Sequence, residues 1–202
     1  MFGLCALLLA PLSATAGLYQ AQQMEIGAAL ELKADGHFRY QLDYGAVSEH
    51  AEGRWTSDGK MIRLTTSPAP KKPSLELVSD EAAPTGEITM KVEPPGFGEG
   101  YRLEAVGTDA STGETGLVSV ESDGRLDSGG HQLSAIDPLI PVYGTVAGHF
   151  TLDPSRGHRL LLRFHANDLG TAAFEGELLA LTDGALVLKR YDTEIRFLRT
   201  RP

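Results

Sequence analysis

The chain has 202 residues, 27 acidic against 18 basic side chains, a net charge of −9 and a single cysteine, Cys5. A field of that sign repels phosphate backbones and anionic lipid headgroups, which argues against nucleic acid as a partner. With 42% hydrophobic and 22% charged residues, the composition is that of a globular chain forming one large domain or two small ones.

The first sixteen residues, MFGLCALLLAPLSATA, carry no charge and end in Ala14-Thr15-Ala16 before Gly17. An apolar run too short to span a bilayer, followed by an Ala-x-Ala step, reads as a secretory signal cleaved after Ala16. The absence of a leading Lys or Arg leaves an upstream start or an uncleaved anchor as alternatives. Cys5 stands at the beginning of the apolar run, which is the wrong place for lipidation. The cleaved chain keeps every charged residue and no cysteine, so it has no disulfide, no thiol nucleophile and no thiolate zinc site.

Past the signal, apolar residues alternate with polar ones at the period of half-buried strands. Ile26, Ala28, Leu30 and Leu32 share one face, as do Phe38, Tyr40, Leu42 and Tyr44. Between these runs, Asp35-Gly36 fits a three-residue loop, Ala34 to Gly36, that pairs Leu32 with Phe38. Asp58-Gly59 is expected to form a two-residue turn pairing Trp55 with Ile62 and Gly53 with Leu64. Asp123-Gly124 fits a three-residue loop pairing Val120 with Leu126, and Asp183-Gly184 a two-residue turn pairing Leu181 with Leu186 and Leu179 with Leu188. Residues 67–85 hold four of the eleven prolines and break the alternation; they read as a connection and a domain boundary, with Ser79 to Ala83 at most one helical turn. Strand spacing then resumes at Ile88-Val92, Tyr101-Ala105, Val118-Val120, Phe150-Leu152, Leu160-Phe164, Leu186-Leu188 and Ile195-Phe197. The fold class is all-β: an antiparallel meander or small barrel plus a β-sandwich.

Two resemblances follow from particular residues. Gly17-Leu18-Tyr19, the stretch LELKADGHFRYQLDYG and then AEGRWTSDGKMIRLTT resemble the small lipocalin-like meanders of bacterial envelope proteins, over residues 17–66. YRLEAVGTDASTGETGLVSVESDGRL, residues 101–126, resembles the transthyretin-like or carboxypeptidase-regulatory-like sandwich through its Asp109 to Gly113 turn and Asp123-Gly124, without the small step that usually follows the Thr-Gly turn. The whole resembles exported proteins of Gram-negative bacteria that join these two modules. That resemblance implies location, in the periplasm or secreted, and carries no catalytic residues to this chain. The organisation expected is a signal at 1–16, the meander at 17–66, the proline-rich connection at 67–85 and a sandwich at 86–202. The last hairpin, 177–199, is compatible with the sandwich or with closure of the N-terminal sheet.

Chemistry is sparse. Six histidines show neither the i, i+2 nor the i, i+4 spacing that aims two imidazoles at one ion, and Arg159 and Arg163 beside His149 and His165 oppose a bound cation. Arg125 spoils the acidic loop from Asp123 to Gly130 as a calcium site. Ser111 and Ser128 read as turn formers, no nucleophile elbow is present, and Glu99 in the Gly-rich run Pro94 to Gly100 repels phosphate. Asn167, the only asparagine, begins a capping or turning loop. The aromatic face of Phe38, Tyr40 and Tyr44 with Trp55 fits either core packing or a cup that holds a ligand. The expectation is therefore a non-catalytic envelope protein without metal or cofactor. It binds a small apolar or aromatic ligand through Tyr40, Tyr44 and Trp55, or serves as a protein-interaction module that meets an envelope partner by sandwich edges or loops. It makes no stable membrane insertion once the signal is cleaved.

Overall fold

Alternation at period two becomes seventeen strands in the computed structural model, which describes residues 12–93 and 104–200. The first five are β1 (Gly17–Ala21), β2 (Ile26–Leu32), β3 (His37–Tyr44), β4 (Val47–Ser57) and β5 (Met61–Thr66). Next come β6 (Ser74–Ala83), β7 (Ile88–Glu93), β8 (Glu104–Asp109), β9 (Thr115–Val120), β10 (Leu126–Asp127), β11 (Leu133–Ile140), β12 (Thr145–Val146), β13 (Phe150–Thr151) and β14 (Gly157–His165). The chain ends with β15 (Glu175–Thr182), β16 (Ala185–Arg190) and β17 (Thr193–Arg199). Cys5, the Gly-rich run Pro94 to Gly100 and the expected strand start Tyr101-Leu103 lie outside the described residues.

Eight strands close into an antiparallel barrel in the order β1-β17-β16-β15-β5-β4-β3-β2. The last hairpin is thus a barrel element and closes the N-terminal sheet. The chain divides into one unit of residues 1–70 and 170–202 and a second, inserted unit of residues 71–169. Inward residues of every barrel strand fill the first unit's core, among them Leu30, Leu32, Phe38, Leu42, Trp55, Ile62, Leu64, Leu186 and Phe197. Eight strands give an interior just wide enough for side chains to fill or for one small ligand.

The turn chemistry sets the registers. Leu32 pairs with Phe38, Val120 with Leu126 and Leu181 with Leu186, as the loop lengths require. At Asp58-Gly59 the register differs from expectation: Trp55 pairs with Leu64 and Gly53 with Thr66. Gly59 and Lys60 occupy the turn, Gly59 at φ +90°, while the Asp58 carboxylate accepts from the Lys60 and Met61 amides at 2.9 and 2.8 Å. A shift of two residues keeps the same side chains inside, which is why the alternation alone does not fix it.

β4 is longer than β5, and its first half finds another partner. The His50 amide donates to Gly170 at 2.9 Å and the Ala172 amide to His50 at 2.8 Å. The buried Thr66 hydroxyl donates to the Ala172 carbonyl at 2.7 Å and accepts from the Phe174 amide at 3.0 Å. These bonds steer Phe174 into the barrel interior. At the opposite end of the barrel strands, a helical turn, Leu12–Thr15, packs its Leu12 against the core, and Tyr19 donates to the Thr15 carbonyl at 2.6 Å.

The inserted unit has a three-stranded sheet, β6-β14-β7, with β7 parallel to β14, and a six-stranded sheet built on β10-β9-β8-β11-β12 with β13 also on β11. One apolar cluster draws Leu75, Met90 and Leu162 from the first and Val118, Ile136 and Phe150 from the second. Its root is closed by Lys71, whose amide donates to the Asp168 carboxylate at 2.7 Å, and by Asn167, which donates to the Lys72 carbonyl at 2.8 Å. Residues 74–83, expected as part of a proline-rich connection, are a ten-residue strand. A bulge at Val78, where the pairing steps from Leu161–Ser79 to Leu162–Leu77, puts two residues against one and breaks the sequence alternation there.

Candidate functional site

Tyr40 and Trp55 both point into the barrel, 3% and 2% exposed, and Tyr44 is half-buried at the edge of the same core. The register spaces them along the strands: Tyr40 pairs with Ala51, four residues before Trp55 on β4, and Tyr44 pairs with Val47. Trp55 donates its indole N–H to the Lys33 carbonyl at 2.9 Å, near the β2–β3 turn, and packs as core. Tyr40 sits farther along β3, against residues that the aromatic pattern did not single out.

Glu49 is the first of these. It shares the inward phase of β4 with Ala51, Gly53 and Trp55, and is 5% exposed. Its charge is met by Arg190 from the end of β16, whose Nη2 donates to Oε1 at 2.6 Å and whose Nε donates to Oε2 at 2.7 Å. The Tyr191 hydroxyl also donates to Oε1. The guanidinium lies 5.4 Å from the Phe174 ring centroid and 5.1 Å from that of Tyr191, so it is held by stacking as well as by charge. Phe174 in turn meets Tyr40 edge-on at 5.0 Å and Phe38 at 6.0 Å.

A buried pair of this kind is stable only with its polar atoms satisfied. Burial lowers the Arg190 pKa, but the Glu49 hydrogen bonds and charge outweigh it and hold the group firmly protonated. Burial, then the hydrogen bond and charge of Glu49, push the Tyr191 phenol up. Burial and then the Glu49 charge push up Tyr40 as well. Yet the Tyr40 hydroxyl is buried and has no hydrogen-bond partner. An unmet buried hydroxyl costs about 1–3 kcal/mol.

The turn that carries Tyr191 departs from ordinary hairpin geometry. Tyr191 and Asp192 both take positive φ, +51° and +55°, where a two-residue hairpin turn ordinarily uses Asn and Gly. Only Asp192 is a residue type that adopts this region readily; Tyr191 is held there by its ring and hydroxyl.

In the inserted unit the histidines pair with carboxylates. His131 Nδ1 meets Asp109 at 2.7 Å, His149 Nδ1 meets Asp137 at 2.5 Å and His165 Nε2 meets Glu76 at 2.9 Å. His158, 2% exposed, has Asp80 at 2.9 Å on one ring nitrogen and the Asp153 carbonyl at 3.0 Å on the other. Among the described residues no three His, Cys, Asp or Glu side chains are placed to hold a metal ion. A cleft of about 290 Å³ runs beside Asp109 and His131. Asp109 there already accepts from the Ser111 hydroxyl and amide and the Thr112 amide, which, Ser111 first, hold its carboxyl far below the usual range. Ser128 donates to the His131 carbonyl at 2.7 Å, so both serines serve their own turns.

No protein-family model matches the chain, and no curated protein and no solved structure matches it. Among the described residues no helix is long and apolar enough to cross a membrane.

Proposed function

We propose that this protein is a non-catalytic, exported protein of the bacterial envelope whose barrel binds a small apolar or aromatic ligand beside Tyr40, with Tyr44 at the edge of the site. The observation that carries the reading is the Tyr40 hydroxyl, a polar atom buried in the barrel core without a hydrogen-bond partner. Small-molecule sites are mostly apolar, with a few placed polar groups that orient the ligand. Glu49, Arg190 and Tyr191 supply the fixed polar frame, and Phe38 and Phe174 the aromatic wall. Trp55 belongs to the packed floor in this reading. Export rests on the leading sequence alone.

Native mass spectrometry of the full chain purified from a periplasmic extract tests this. A bound small molecule that accompanies the wild type and is lost from Tyr40→Phe is the expected result. Wild type and variant both at the bare protein mass contradict it.

A second reading, an interaction module that meets an envelope protein, is favoured by β6. It is an outer strand of its sheet, and Leu77 and Val78 on it are 43% and 40% exposed. Crosslinking in the periplasm that is unchanged by Leu77→Lys with Val78→Lys counts against this reading.

A further inference from the structure

The outer face of the barrel carries a groove where strand pairing sets four side chains in a row. Met61 on β5 pairs with Ala180 on β15, Ala180 with Val187 on β16, and Val187 with Arg196 on β17. Their strand neighbours Ile62, Leu179, Leu186, Leu188, Ile195 and Phe197 are buried inside, so alternation turns this row outward. Two residues further along the same strands, and therefore on the same face, stand Arg63, Leu178, Lys189 and Glu194. Outward positions elsewhere on the barrel are polar, as His37, Arg39, Gln41 and Asp43 are on β3, whereas Leu178 here is 46% exposed. Ala180 is the smallest side chain among Met61, Leu178 and Val187, and the open groove that these residues line measures about 490 Å³. Small-molecule sites span about 300–1,000 Å³.

Charge decides the head group. The chain as a whole stands at −9, yet on these two rows three cations, Arg63, Lys189 and Arg196, face one anion, Glu194. Glu194 is met by Lys189 at 3.5 Å, and Arg63 donates to the Gly176 carbonyl at 3.1 Å. Arg196 is left over. Its amide donates to Gln23 Oε1 at 2.9 Å, while its guanidinium has no carboxylate partner among the described residues. Glu177 also borders the groove, but from the inward phase, opposite the buried Leu64. Its Cα is three residues along and two strands across from Arg196, about 14 Å on strand geometry. That is beyond the ~8 Å over which exposed charges act at physiological salt.

The body of the ligand follows from the floor. Met61, Leu178, Ala180 and Val187 are aliphatic, and no ring lines the groove to select an aromatic plane. From Met61 to Val187 the row crosses two strand spacings, about 10 Å, close to the length of an extended eight-carbon chain. A chain lying across the strands ends at Arg196, the next position in the row.

We infer that this groove is a second binding site, on the outside of the barrel, for a single-chain aliphatic carboxylate whose chain crosses Ala180 and whose head pairs with Arg196. It does not depend on the site beside Tyr40. The test is a proton–nitrogen NMR titration of the full chain at neutral pH with octanoate, octanol and octylamine, which share a chain and differ in head charge. Octanoate is expected to shift amides of β15, β16 and β17 and to bind about threefold more tightly than octanol, the size of one exposed ion pair, with octylamine weakest. Arg196→Gln should remove the preference for octanoate over octanol, and Ala180→Leu, which fills the groove, should weaken both alike. Octylamine binding as tightly as octanoate, a preference that survives Arg196→Gln, or no saturable shift with any of the three overturns the inference. Shifts confined to Tyr40, Glu49 and their neighbours put the ligand inside the barrel; they overturn the outer site and support the function proposed above. Shifts that appear with phosphatidylglycerol vesicles but not with octanoate make a bilayer surface the occupant, and shifts on raising the protein concentration alone make it a second copy. Either result overturns the inference. The wild-type order of the three head groups decides the matter whether or not the variants fold.

Discussion

Two residues carry most of the physical argument at the smallest scale. Tyr40 holds an unpaired hydroxyl in the barrel, so Tyr40→Phe is expected to stabilise the unliganded chain by about 1 kcal/mol, read from urea unfolding midpoints. The same phenol is pushed above its ordinary 10.0, first by burial and then by Glu49. A raised folded value means that the folded state keeps a proton the unfolded chain gives up. The stability this confers is full below about pH 10 and is lost as pH rises beyond it. Tyr40→Phe should therefore flatten the alkaline limb of the stability profile, and an unchanged limb contradicts the placement. Gly53 is the other residue. A Cβ there would sit 2.0 Å from the Thr65 carbonyl oxygen and 2.8 Å from the Thr66 Cα, where β5 crosses β4 closely. Gly53→Ala is expected to cost about 2–3 kcal/mol, whereas Gly116→Ala, with open space around it, should lie within about 0.5 kcal/mol of wild type in the same assay.

Elements were legible in the sequence where a turn residue and an unbroken alternation agreed. Asp35-Gly36 and Asp183-Gly184 each fixed a register, since only one loop length brought apolar side chains together. At Asp58-Gly59 two registers bury the same face, and the carboxylate of Asp58 chose between them through its turn bonds. β6 escaped because a bulge breaks its period and prolines flank it. That strand also holds Asp80, whose carboxylate accepts from Arg156 Nη2 at 2.6 Å and faces His158 Nδ1 at 2.9 Å. Burial raises the Asp80 pKa, but the bonds from Arg156 and His158 outweigh it and the net shift is downward from 3.8. A lowered folded value stabilises above the unfolded one, so this contribution is present above about pH 4 and is lost as pH falls below it. Asp80→Asn should make the acid limb of unfolding shallower than in wild type, by circular dichroism at stepped pH. Equal acid limbs would show that the three side chains are not coupled to folding.

Across the whole molecule, the candidate site is assembled from both ends of the chain. Tyr40 and Glu49 precede the inserted unit; Phe174, Arg190 and Tyr191 follow it. Tyr40 was legible because β3 alternates cleanly. Glu49 shares the phase of Trp55, yet a charged residue on an inward phase has meaning only once its partner is known. Arg190 lies more than a hundred residues away, and nothing in a local pattern links the two. The last hairpin was undecided for the same reason: alternation says that a strand is half-buried, not which sheet it joins. The root of the insertion, with Lys71 bonded to Asp168 and Asn167 to Lys72, brings the two chain crossings side by side. Insertions joined in this way leave the host fold intact when the ends are close. The most direct measurement is to replace residues 71–168 with a short Gly-Ser linker and follow urea unfolding of the product by near-ultraviolet circular dichroism. The barrel and its site, built as described, should unfold in one cooperative transition, and Tyr40→Phe should shift the midpoint upward as in the full chain. A product without a cooperative transition, or one indifferent to Tyr40→Phe, would contradict a barrel closed and furnished by both ends of the chain.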